Sequence, residues 1–160
     1  MKQFARLFTG IVVIAFVVAS MTPAMAQGKK GGAVTIAAAD LKWGDVPGMQ
    51  GIKMAVAGGD PAKGASHFFI KFAPGVSAPA HHHSADHFVS VISGTMIMAA
   101  DGKEVKLPAG SYFSYTGKKA HTTKCDGGAD CVLFIDARSK WDVVPEAAGK
   151  TEPKKAEPKK

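Results

Sequence analysis

The sequence predicts a single all-β domain, a sandwich or barrel, on three observations. Short apolar runs recur at residues 52–57, 67–73, 88–92, 96–99, 112–115 and 132–135. Turn-forming clusters separate them: Gly58-Gly59-Asp60-Pro61, Ala73-Pro74-Gly75, Ser93-Gly94, Asp101-Gly102 and Pro108-Ala109-Gly110. No stretch carries a helical apolar period over three turns, and many short strands at this spacing define a sandwich or barrel. The 160-residue length allows one such domain, and no segment repeats another.

The chain opens on Lys2 and Arg6, then an apolar stretch at 7–19 and the small-residue site Ala24-Met25-Ala26. That pattern predicts a signal peptide over 1–26, cleaved before Gln27. The 13 residues of the apolar stretch fall short of the roughly 20 that cross a bilayer, so no membrane attachment is expected after cleavage. The expected location is a bacterial periplasm or the medium. Residues 27–37 read as a flexible lead-in and 38–144 as the domain. Residues 145–160, rich in Lys, Glu and Pro with no aromatic side chain, read as a disordered tail.

The formal charge of +7 belongs to the ends. Residues 33–144 carry 11 basic against 10 acidic side chains, a balance that argues against a nucleic-acid partner. The tail is a solvated charged segment, with weak attraction to anionic surfaces as its one conceivable function.

Chemistry concentrates in the histidines. Five of the six are His81, His82, His83, His87 and His121. Strand alternation sends His81 and His83 to one face and His82 to the other, and His87 joins the first face after a bend at Ser84-Ala85. Three imidazoles converging on a barrel face make a site for Zn, Cu, Fe or Ni; parity alone leaves a polar surface loop as an equal alternative. Asp86 is a substitute ligand for His87, but parity turns it away. His67, among Phe68, Phe69, Ile70 and Phe72, reads as a structural residue. Met96 and Met98 read as core filler.

Cys125 and Cys131 flank the turn-rich Asp126-Gly127-Gly128-Ala129-Asp130. In an oxidising compartment they are expected to form a disulfide stapling a hairpin, which disfavours Cys125 as a metal ligand. Apolar residues on both faces of 88–92 and 96–99 point to a covered outer face, which a homodimer would supply.

The spacing of these residues resembles the cupin superfamily. The first cupin motif is Gly, five residues, His-x-His, three or four residues, Glu, six residues, Gly. Here Gly75, His81-His82-His83, His87 and Gly94 keep every interval, with His87 at the position of the Glu. In the second motif Gly110 and His121 keep their eleven-residue interval. Thr116 and Lys118 replace its Pro and second Gly, and Cys125 stands at its Asn. Over residues 38–144 the chain is also similar to exported, ChrR-like single-domain cupins of unknown function. It shares with them ADLKW (within 38–43), HSADHFVSVISGTM (83–96), LPAGSYF (107–113), HTTKC (121–125), CVLFI (131–135) and KWD around Trp141.

The resemblance implies a cupin-type jelly-roll β-barrel with His81, His83, His87 and His121 around one divalent transition metal (Fe, Mn, Ni, Cu or Zn). Four neutral imidazoles leave the full charge on the metal, favouring an anionic oxygen partner and disfavouring Mg and Ca. Two functions stay open. One is a metal-dependent, dioxygenase-like oxidoreductase acting on a small oxygen-bearing substrate, in a barrel lined by Met, Phe and Val, with one tyrosine hydroxyl available to hold it. Neither motif places a convincing general base beside the metal ligands, which disfavours isomerase and hydrolase chemistry. The other is a non-catalytic metal- or small-molecule-binding or sensing module, suited to a closed four-His site.

Overall fold

A computed structural model describes residues 32–146. The expected signal peptide at 1–26, the first part of the lead-in and the tail after Glu146 lie outside the described residues. After a 3-10 turn at Ala38–Asp40 come the strands β1 Gly44–Asp45, β2 Ile52–Gly59, β3 Ser66–Phe72, β4 Ser77–His82, β5 His87–Ser93 and β6 Thr95–Ala100. They continue with β7 Lys103–Pro108, β8 Tyr112–Tyr115, β9 His121–Cys125, β10 Cys131–Ala137 and β11 Val144–Pro145.

Two antiparallel sheets result, one in the order β1-β2-β3-β10-β5-β8 and the other β11-β4-β9-β6-β7. From β3 to β6 and again from β7 to β11 the chain passes between sheets, which is the jelly-roll arrangement. This is the all-β fold the sequence predicts.

Period-2 patterning builds the core. β3 and β10 bury alternate residues, Phe68, Ile70 and Phe72 against Leu133 and Ile135. Val89 and Val91 of β5 join them on the same inner face. Met96 and Met98 are buried from the opposite sheet and do not line the cavity at the histidines, so they fill the core as their alternation predicts. On the outer face of the six-stranded sheet Ile92 and Tyr112 are exposed.

The β5–β6 connection requires glycine. Gly94 has φ +73°, and a Cβ there would lie 2.8 Å from both the Asp130 carbonyl oxygen and the Cys131 Sγ. Cys131 is tied to Cys125 by a disulfide, and both residues are fully buried. Closing so short a loop removes about 2 kcal/mol of chain entropy from the unfolded state.

Residues 144–146 lie along the edge of β4. Val144 and Pro145 pair with His82 and His81, and the Glu146 N–H donates to the Ala80 carbonyl at 2.9 Å. The Glu146 carboxylate accepts from His82 Nδ1 at 2.6 Å. The backbone of residues 145 and 146 is thus paired against the edge of β4.

Candidate metal centre

The histidines meet where β4, β5 and β9 come together. On β4 a bulge precedes them: Ala78 pairs with Thr123 and His81 with His121, so Pro79 and Ala80 oppose Thr122 alone. A bulge inserts one residue and re-aims the side chains beyond it. Inward parity passes from Ala78 to His81, and His81 and His83 are buried while His82 turns outward. Between β4 and β5, Ser84-Ala85-Asp86 forms the bend. The Asp142 carboxylate accepts the Ser84 N–H at 2.7 Å. Asp86 points away from the histidines, and its carboxylate accepts the Gly117 N–H at 2.9 Å. His87 then opens β5 facing inward, and His121 opens β9.

One ring nitrogen from each of His81, His83 and His121 lies within 4.8 Å of the other two. His87 falls outside that mutual distance. Its ring stands edge-on to His83, with centroids 4.7 Å apart, and it lines the same cavity. The structure thus gathers three of the four expected ligands in ligating range and sets the fourth beside them.

Each imidazole is oriented in the same way. His81 Nδ1 contacts the Pro79 carbonyl at 2.6 Å, His87 Nδ1 that of Ala85 at 3.1 Å, and His121 Nδ1 that of Lys119 at 2.8 Å. His83 Nδ1 contacts the Asp142 carbonyl. A carbonyl only accepts, so each Nδ1 carries the proton and each Nε2 keeps a free lone pair. Burial drives all four pKa values below the ordinary imidazole range, against the opposing pull of those carbonyls; neighbouring imidazoles lower them further. His83 falls to about 3 and His121 to about 4. The donor set is neutral at physiological pH, as binding a transition metal requires.

Two aromatic side chains clamp the rings. Trp141 stacks on His83 with centroids 3.9 Å apart, and Tyr115 stacks on His121 at 4.1 Å. Tyr115 is thus the tyrosine set against the histidine cluster, and burial raises its pKa, so its phenol stays protonated. Trp141 and Asp142 belong to the segment leading into β11. One stacks on His83, and the other bonds both the His83 ring and the Ser84 amide. Residue chemistry alone gave no reason to place them at the site; their one sequence signal was the KWD phrase.

The four histidines line one cavity with an interior space of about 60 Å³. The turn before β2 contributes Val46 and Met49, held by the Met49 N–H donating to the Val46 carbonyl at 3.0 Å and the Ile52 N–H to that of Met49 at 3.1 Å. Cys125 is removed from ligation by its disulfide. His67 sits half-exposed on the outer face, stacked on Phe134 and 3.4 Å from Asp136, and does not line this cavity.

A jelly roll with three inward histidines at the head of an apolar cavity defines a class of metal-site β-barrel. Residues 68–136 match the family model described as Cupin domain, and the fold is consistent with the cupin superfamily. No curated protein sequence matches the chain. Among solved structures it is similar to the polyketide cyclase RemF from Streptomyces resistomycificus, at 19% identity and TM-score 0.62, over 72% of this chain and 87% of that one. A predicted oxalate decarboxylase from Thermotoga maritima is similar at 18% identity and TM-score 0.57, over 66% and 98%. So is the Rhodobacter sphaeroides anti-sigma ChrR, solved with SigE, at 20% and 0.51, over 63% and 50%. At these identities the likeness shows a shared fold.

The second-motif departure at Lys118 has a visible consequence. Lys118 adopts φ +58°, the left-handed conformation that the motif's glycine accommodates without strain.

Proposed function

We propose that this is an exported metal-binding cupin whose ion is held by His81, His83 and His121 with His87 as fourth ligand, and that it is an oxygenase-type enzyme acting on a small oxygen-bearing molecule. One observation carries the reading: His81, His83 and His121, buried and each with Nδ1 on a backbone carbonyl, bring one ring nitrogen apiece within 4.8 Å of one another at a cavity that His87 also lines. The donor set fits a borderline or soft divalent ion and does not fit Mg or Ca.

When bound, such an ion supplies a Lewis acid that polarises a substrate oxygen or brings a chelating substrate together with dioxygen. The backbone carbonyls fix ring orientation before binding, so little reorganisation is required. Trp141 and Tyr115 restrict the His83 and His121 rings from their faces, and the apolar wall limits water at the histidines. The disulfide supports an oxidising compartment, periplasmic or secreted.

A second reading, a metal- or ligand-binding module, is favoured because no carboxylate or ammonium lines the cavity among the described residues. Among the similar folds, one is a polyketide cyclase and another an anti-sigma protein, so the fold accommodates both classes.

Elemental analysis and X-ray absorption on protein purified from its exporting compartment test these readings. The enzyme reading expects one Fe, Mn, Ni, Cu or Zn per chain, with imidazole coordination and an exchangeable oxygen ligand. A closed four-imidazole sphere selects the binding module. Absence of metal with the four histidines intact overturns both.

A further inference from the structure

The cavity has polar donors at one level and apolar walls beyond it, and strand register measures the separation. At the upper level His87 of β5 pairs with Ala137 of β10, while His81 pairs with His121 in the facing sheet. Two residues along, Val89 pairs with Ile135, with Ala78 and Thr123 opposite. Two further along β10, Leu133 pairs with Ile70, which pairs with Met54. Beyond them Phe72 pairs with Ile52. At about 3.4 Å per residue, the Leu133 level lies roughly 13 Å from the histidines.

Apart from the four histidines, Thr123 and the Trp141 indole, every lining side chain among the described residues is apolar. Among them no arginine or lysine stands ready to neutralise a second anionic group, and no row of hydroxyls or amides matches a sugar. Burying either there carries an uncompensated desolvation cost.

We infer that the site takes a small amphipathic molecule: a bidentate oxygen head, neutral or singly ionised, at the histidines, and a short hydrocarbon body lying along β10 towards Leu133 and Met54. This rests on the metal reading for the head but not for the body. The specificity-determining residues are Met54, Ile70 and Leu133, which no sequence motif marked.

The test is an NMR titration of the full mature protein, metal-free and Zn-loaded, with straight-chain alkyl hydroxamates from two to six carbons. Burial of each methylene corresponds to about a fourfold gain in affinity until the cavity is filled. That slope is expected in both forms, with Zn adding a constant factor across the series. Met54→Asn, at a half-buried position, is expected to flatten the slope without displacing Zn. A slope below about 1.5-fold per methylene in both forms overturns the inference, as does equal binding of a tail-hydroxylated analogue. Loss of the Zn factor with the slope retained counts against the metal reading alone.

Discussion

Acid should destabilise the metal-free protein well before its carboxylates titrate. His83 and His121 are held to about 3 and about 4, mainly by burial. In the unfolded chain each titrates near 6.5. Between those values the unfolded state binds a proton that the native state refuses, so stability rises with pH and is lost as pH falls below about 6.5. At pH 5 the loss is about 2 kcal/mol for each of the two residues, roughly 4 together. That is a large share of the ordinary 5–15 kcal/mol of native stability. His81 and His87 shift in the same direction and add to it. Asp60, Asp126 and Asp142, also held below the ordinary carboxylate value of 3.8, lose stabilisation only nearer that pH, leaving the interval from 6.5 to 5 to the histidines. Urea unfolding in the presence of a chelator at pH 7.5, 6.5, 5.5 and 5.0 reads the slope directly. His83→Gln is expected to flatten it by about 1.4 kcal/mol per pH unit. Parallel curves for the wild type and for His83→Gln and His121→Gln would refute the reasoning.

Replacing both Cys125 and Cys131 by Ala should cost about 2 kcal/mol in denaturant unfolding and leave metal stoichiometry unchanged, because neither sulfur faces the site. Gly94→Ala should destabilise by at least about 2 kcal/mol, since its Cβ collides with backbone at a positive φ; thermal unfolding measures it. Lys118→Gly should raise stability by roughly 0.5 kcal/mol, as relief of left-handed strain outweighs the added freedom of the unfolded chain. Trp141→Ala should lower metal affinity about tenfold in a competition titration by freeing the His83 ring, with Trp141→Phe restoring most of it.

The legible parts of this fold were those where one side of a strand is apolar. The runs at 52–57, 88–92, 96–99, 112–115 and 132–135 fall on strands, and that at 67–73 does up to Phe72, because an inner face against the core imposes period 2. β7 left no such run. Five of its six residues, Lys103, Glu104, Val105, Lys106 and Pro108, are exposed, as befits an edge strand that charge protects from further pairing. β1 and β11 are two residues each and are defined by backbone pairing alone. At the site, histidine spacing was legible because ligands lie close in sequence. Their supports were not: Trp141 and Asp142 reach His83 from nearly sixty residues away, and no local pattern encodes that contact. The hydrophobic wall was legible only as composition, since Met54, Ile70 and Leu133 become neighbours through register.

The bulge at Pro79-Ala80 allows ring orientation to be separated from inward parity. Ala78 and His81 pair with Thr123 and His121, so removing Ala80 gives β4 and β9 equal residue counts between those two pairs. The ladder can close without the bulge, and His81 and His83 still face inward. The relation of His81 to Pro79 does not survive. The carbonyl that accepts from its Nδ1 lies two residues back across the bulge, and in the deletion it becomes the adjoining peptide, out of reach of the ring. Deletion also removes the carbonyl that receives the Glu146 N–H, at about 1 kcal/mol. A fold that tolerates the deletion but loses about 10- to 100-fold in metal affinity would show that the backbone acceptor, and not the imidazole alone, makes His81 a ligand. Circular dichroism and a chelator competition read the two quantities separately. If affinity is unchanged in a folded deletion variant, the bulge serves the sheet and not the site.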